Sequence, residues 1–288
     1  MFASRLRRIA QTIRHAHGLR YLDTLWNLVR PSYKHALDVL SAGRGVEVEI
    51  AGCTIRLNPH FAGAAWESIE RESYERFART VQPGDIVYDV GASIGTYSLV
   101  ALQKSAPDGR VVAYEPVELT RKFLIDHLQW NNTIDRAIVR PVCCGLESQE
   151  VPLYFREEEM IGDSGLVPFP GAQMKIVQVR SLDSEVANLG LVPTIIKIDV
   201  EGWEFDMLKG SEETLKRYGP TLFLSLHPKV LAQWKVSPET VQAWLEERGY
   251  RLELIGADHE IHLLASFVGG CGSRNSTVKV DRAFNADC

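Results

Sequence analysis

From residue 86 onward, short apolar runs alternate with longer stretches of helical periodicity, and this alternation leaves the chain few architectures to choose from. Runs at 86–90, 110–114, 137–143, 194–199 and 221–226 read as strands. Segments at 96–104, 119–130, from 203 to about 218, and 238–248 read as the helices among them. The early strands are apolar throughout, as expected when crossover helices bury both faces of a parallel sheet. Two later runs, 251–255 and 261–267, are joined only by the turn Gly256-Ala257-Asp258, and so short a link requires an antiparallel pair. The expected fold class is therefore α/β: a doubly wound, mostly parallel sheet with an antiparallel terminal strand. Runs at 151–155 and 174–179 read as an inserted pair around the Gly/Pro-rich loop 160–172.

Ahead of this core, residues 46–50 and 53–57 alternate around Ala51-Gly52 as a β-hairpin, and 66–80 reads as a charged helix ending at the turn Val81-Gln82-Pro83-Gly84. Residues 1–44 form a basic amphipathic leader, with Leu6, Ile9, Ile13, Leu22, Leu25 and Trp26 at helical spacing. Its eight Lys/Arg against two acids give +6 within a chain of net charge −5, leaving −11 for the rest. Two readings of the leader stand: a helix packed on the domain, or a helix meeting a membrane surface or a protein partner. The division expected is leader 1–44, main domain 45–268 and a disordered tail 269–288. The acidic balance gives no case for nucleic acid. Five cysteines, none in a CxxC pair, read as reduced thiols of a cytoplasmic protein. No run approaches the roughly 18–20 apolar residues of a membrane span, and polar interruptions near the start argue against a cleaved secretory signal.

Three strand ends carry the chemistry. In Val87-Tyr88-Asp89-Val90-Gly91-Ala92-Ser93-Ile94-Gly95-Thr96 an apolar strand ends in an acid before a glycine-rich turn that opens a helix. Glycines let backbone approach a ligand, and a helix start offers free amides. Gly91 and Gly95 are spaced GxxxG, unlike the dinucleotide fingerprint, and a carboxylate there suits a cationic ligand better than a pyrophosphate. Val111-Val112-Ala113-Tyr114-Glu115-Pro116 supplies a second strand-end acid 26 residues after Asp89, placed to accept from ribose hydroxyls. In Ile195-Ile196-Lys197-Ile198-Asp199-Val200-Glu201-Gly202-Trp203-Glu204, period two puts Lys197, Asp199 and Glu201 on one side, with Glu204 expected to face solvent. Such charges at the end of a buried strand are costly unless paired or functional. His227, at the exit of the 221–226 strand, reaches the same rim, either as a proton acceptor or as a packing residue. The other histidines form no spaced metal cluster, and no metal is assigned.

The stretch from about Glu72 to His227 resembles the FkbM family of methyltransferases. The resemblance rests on Tyr74-Glu75, Pro83-Gly84-Asp85, the Asp89 turn, the Glu115-Pro116 strand end, Asn131-Asn132, Lys197-Ile198-Asp199-Val200-Glu201-Gly202-Trp203-Glu204 and Leu208-Lys209-Gly210. It covers a little over half the chain. It implies a Rossmann-like class I methyltransferase using S-adenosylmethionine on a hydroxyl of a sugar, glycan or secondary metabolite. The family commonly has Asn where this chain has Ser93, and no acid follows the third strand at Val142-Cys143-Cys144-Gly145. On this reading Asp89, Gly91, Ala92, Ser93, Gly95, Glu115 and Pro116 hold the cofactor. Lys197, Asp199, Glu201 and His227 serve the acceptor, with His227 or Asp199 as base. A divalent ion on Asp199 and Glu201 is a lesser alternative. The rival readings are a nicotinamide-dependent oxidoreductase and a non-catalytic membrane-associated scaffold.

Overall fold

The computed structural model describes residues 43–61, 64, 66, 68–156 and 164–269. Most of the basic leader, part of the loop after 156 and nearly all of the expected tail lie outside the described residues. In chain order the first elements are β1 (Val46–Ile50), β2 (Cys53–Leu57), α1 (Arg71–Thr80), β3 (Ile86–Val90), α2 (Thr96–Lys104), β4 (Arg110–Tyr114), α3 (Glu118–Trp130) and β5 (Ala137–Arg140). There follow β6 (Cys143–Cys144), β7 (Gln149–Phe155), β8 (Ser164–Gly165), β9 (Gln173–Arg180), α4 (Leu182–Leu189), β10 (Ile195–Ile198), α5 (Glu204–Lys209) and α6 (Glu212–Tyr218). The chain then forms β11 (Thr221–Leu226), α7 (Pro228–Leu231), α8 (Pro238–Glu247), β12 (Tyr250–Ala257) and β13 (Ile261–Phe267).

Seven strands form the central sheet in the order β12-β13-β11-β10-β3-β4-β5. Neighbours from β11 through β5 are parallel, while β13 runs antiparallel to both β11 and β12. The expected α/β class with an antiparallel terminal strand is thus observed. Alternate residues of each strand feed two cores. Val87, Val111, Ala113, Ile195 and Phe223 pack under α1, α2, α3 and the β1–β2 hairpin. Tyr88, Val112, Tyr114, Ile196 and Leu222 pack on the opposite face against α4, α6 and α8. Strand order reverses between β3 and β10, and in open α/β sheets ligands bind outside the carboxyl ends at such a point.

Several expected boundaries need correction. The third strand stops at Arg140 because Pro141 has no amide to continue a ladder; Cys143–Cys144 instead pairs with β9 in a separate four-stranded sheet, β6-β9-β7-β8. The expected helix 66–80 begins only at Arg71. The helix expected from 203 to 218 is broken at Gly210-Ser211, where a Cβ on Gly210 would lie 1.8 Å from the Gly145 carbonyl. Gly256 and Ala257 belong to β12, so the terminal turn falls at 258–260. Helices α4 and α7 were not anticipated. Among the described residues no helix is long and apolar enough to cross a membrane.

Candidate active site

A cavity of about 600 Å³ opens at the carboxyl ends of β3, β4 and β10. Its walls include Asp89, Gly91, Ala92, Ser93, Glu115 and Pro116 at one end, and Lys197, Asp199 and Glu201 at the other. Of the residues selected from sequence, Gly95 and His227 lie behind this lining.

The first end is built by the β3–α2 turn. Gly91 adopts φ +82°, and a Cβ there would lie 1.7 Å from the Asp199 carbonyl oxygen. Gly95, at φ +88°, would meet Leu124 at 2.3 Å. Both glycines are therefore demanded by the packing of the turn, a stricter reason than ligand approach. The turn also spends most of its own amides. Gly91 and Ala92 donate to the Tyr114 carbonyl, and Gly95 donates to Ala92. Asp89, 2% exposed, accepts from Ser98 Oγ at 2.5 Å, and burial pushes its carboxyl up to about 6. Glu115 accepts the amides of Val117 (2.8 Å) and Ser93 (2.9 Å), tying the β4 exit to the turn. Burial raises it to about 7.

At the other end, Lys197 is 1% exposed, donates to Asp199 Oδ2 at 3.0 Å and Ser225 Oγ at 2.8 Å, and lies 4.8 Å from the Tyr97 ring centre. Burial opposes its charge, but Asp199 and Glu70 more than offset this and raise its pKa. Burial likewise works against the Asp199 carboxylate, yet Lys197 and His227 hold it below the usual range.

His227 stands at the centre of the acids. Its Nδ1 is 2.8 Å from Glu204 Oε1, which also accepts the Gly202 amide at 2.8 Å. Its Nε2 faces Glu201 Oε2 at 3.2 Å, Glu260 Oε1 at 3.3 Å and Asp199 Oδ1 at 3.8 Å. Burial alone would lower its pKa, but the carboxylates of Glu201, Glu204 and Glu260 around the ring drive it well above the ordinary histidine value. Glu204 is fully buried, which corrects the expectation that it faces solvent. The imidazole delivered by the next strand gives that buried carboxylate its partner. Asp199, His227 and Glu260 offer donor atoms within 4.8 Å of one another, a set able to hold a metal ion.

Glu260 and Glu70 were not singled out from sequence. Pairing of Leu226 with Ile261 sets Glu260 beside His227, so only the antiparallel register reveals it. Glu70 accepts from the Tyr97 hydroxyl at 2.9 Å, and Tyr97 stacks on Tyr74 at 4.0 Å between ring centres. Glu70, Ser93 and Glu201 are three of six non-glycine residues with positive φ among the described residues, and all three line the cavity. Held backbone strain of this kind gathers at functional sites.

A sheet of this order, with Asp89, Glu115 and Asp199 at the ends of adjacent strands around one cavity, defines a Rossmann-like α/β protein with its ligand site at the carboxyl ends of the strands. The chain belongs to the FkbM methyltransferase family: residues 89–252 match the family described as Methyltransferase FkbM domain. Hexuronic acid methyltransferase AglP of Haloferax volcanii is 26% identical over 174 residues, covering 58% of this chain and 69% of that protein. Methyltransferase sdnD of Sordaria araneosa is 30% identical over 137 residues; the match spans 46% of this chain and about half (48%) of that relative. A solved FkbM methyltransferase from Methylobacillus flagellatus aligns over 64% of this chain and 44% of its own, at 21% identity and a TM-score of 0.44.

Proposed function

We propose that this methyltransferase moves the methyl of S-adenosylmethionine to a hydroxyl oxygen of a sugar, glycan or secondary metabolite. The observation that carries the reading is the segregation of the acids at two ends of one cavity. Asp89 and Glu115 form an anionic end suited to the ammonium and ribose of the cofactor, with Gly91, Ala92, Ser93, Gly95 and Pro116 shaping the turn around it. Lys197, Asp199, Glu201 and His227 form the acceptor end. The named hexuronic acid methyltransferase among the relatives makes sugar acceptors the first to test.

In the reaction the acceptor oxygen bonds to the methyl carbon as the carbon–sulfur bond breaks, and the hydroxyl proton must leave. The protein's work is alignment and proton removal. His227 gives Nδ1 to Glu204 and turns Nε2 to three carboxylates, so neither ring nitrogen is left to take the acceptor's proton. Asp199 is the better candidate: Lys197 occupies Oδ2 and keeps the group ionised, while Oδ1 remains for the acceptor. We place the domain at 45–268, in the cytoplasm, with the basic leader as the surface for any peripheral membrane or protein contact. The described cysteines Cys53, Cys143 and Cys144 are all free thiols, in keeping with a reducing compartment.

Asp199→Ala tests the acceptor-side role. With labelled S-adenosylmethionine and a panel of hexuronates and sugars, it should lose transfer while retaining cofactor binding; unchanged turnover would overturn the assignment.

A further inference from the structure

We infer that Asp199, His227 and Glu260 form a divalent-cation site at the acceptor end of the cavity. The role of the ion in transfer rests on the reading above; its binding does not.

Spacing supplies the first argument. Donor atoms about 2.1 Å from one ion are separated by roughly 3.0 Å at right angles and roughly 3.4 Å at tetrahedral angles. Glu260 Oε1 lies 3.3 Å from His227 Nε2, within that interval. Asp199 Oδ1, at 3.8 Å, needs only a small rotation to join them.

The second argument is an unmet bond. His227 is 6% exposed, and its buried Nε2 makes no aligned hydrogen bond despite three carboxylates around it. A ring nitrogen carries one hydrogen and cannot satisfy three acceptors, whereas a cation can. Glu260 Oε2 is buried and makes no hydrogen bond either, with His262 Nδ1 4.0 Å away. Its Oε1 is also 2.9 Å from Nε2 of the exposed His259.

The third argument is the support behind the ligands. Glu204, fully buried, holds Nδ1 at 2.8 Å and so fixes the ring with Nε2 facing the acids. A carboxylate behind a metal-bound imidazole sets its orientation and raises its basicity. Lys197 similarly takes Asp199 Oδ2 and leaves Oδ1 toward the cluster. Asp199, Glu201, Glu204, Glu260 and Glu70 together outnumber Lys197 and His227, so the region carries excess negative charge.

One imidazole among carboxylates suits Mn²⁺ better than Mg²⁺ or Ca²⁺, which favour all-oxygen sets. Asp199, Glu201 and Glu260 line the cavity, so an ion there keeps coordination positions open to an acceptor hydroxyl. Coordination would polarise the acceptor hydroxyl and ease loss of its proton to a carboxylate of the rim.

The test uses the full chain, stripped with chelator and titrated with MnCl₂ by calorimetry, with and without S-adenosylhomocysteine. Expected is one Mn²⁺ per chain, weakened at least about tenfold by Glu260→Gln and by His227→Gln, with S-adenosylhomocysteine affinity kept. Nitrogen modulation in the electron spin echo of the wild-type Mn²⁺ complex should report His227 without recourse to a variant. Saturable S-adenosylhomocysteine binding with no Mn²⁺ binding would overturn the site, leave the methyltransferase reading standing, and return His227 to a protonated partner of the acids. Mn²⁺ binding without S-adenosylhomocysteine binding would uphold the site and count against that reading.

Discussion

Replacing His127 with Gln probes how the cofactor turn is held. His127 is fully buried on α3; its Nδ1–H donates to the Ile94 carbonyl at 2.8 Å, and its Nε2 accepts the Asn58 amide at 2.9 Å. It thus ties the β3–α2 turn to the segment after the β1–β2 hairpin, and burial pushes its pKa down to about 4. Below pH 6.5 the unfolded chain protonates this histidine and the folded chain does not. Stability from this group is therefore full above pH 6.5, falls as the pH drops, and levels off near 4. At 1.36 kcal/mol per pH unit, the loss is about 3 kcal/mol. Asp89 and Glu115 act in the opposite direction, because their folded values are raised to about 6 and about 7 and they gain stability as pH falls. Comparison with His127→Gln cancels them, and the amide can still offer one donor and one acceptor. In urea unfolding from pH 7 to 4, the stability of the wild type relative to the variant should drop by about 3 kcal/mol. Parallel pH profiles would refute the buried neutral imidazole.

Other outcomes follow from the same contacts. Gly91→Ala should cost more than about 3 kcal/mol in chemical denaturation, since its Cβ would lie 1.7 Å from the Asp199 carbonyl at a positive φ; an unchanged midpoint would contradict that packing. Ser93→Asn should stabilise by about 0.5 kcal/mol, because Ser93 sits at φ +50°, where Asn is better tolerated; a destabilised variant would count against the turn geometry. The proposed cofactor roles of Asp89 and Glu115 require their ionised forms, so affinity for S-adenosylmethionine should rise roughly tenfold from pH 6 to 8, read by calorimetry, and flatten in Glu115→Gln. A dissociation constant independent of pH would contradict it.

The parts of this molecule legible in its sequence are those dictated by neighbours along the chain. Strands β3, β4 and β11 declare themselves as apolar runs, two of them closed by Asp89 and Glu115, and period two places Lys197, Asp199 and Glu201 together without knowledge of the sheet. The end of β5 was less legible because the apolar run continues past Pro141 through Val142 and Cys143, and only the pairing of Cys143–Cys144 with β9 assigns those residues to another sheet. Glu204 reads as the exposed first turn of a helix, and only the strand carrying His227 gives it a buried partner. Glu260 depends on the register of β13 against β11, which no local pattern encodes.

The central claim is most directly tested by calorimetric titration of the purified chain with S-adenosylhomocysteine, beside Asp89→Ala and Glu115→Ala. The account predicts saturable binding by the wild type that both substitutions weaken at least about tenfold, as loss of a buried charged hydrogen-bond partner implies. A folded wild type that binds no S-adenosylhomocysteine would contradict it.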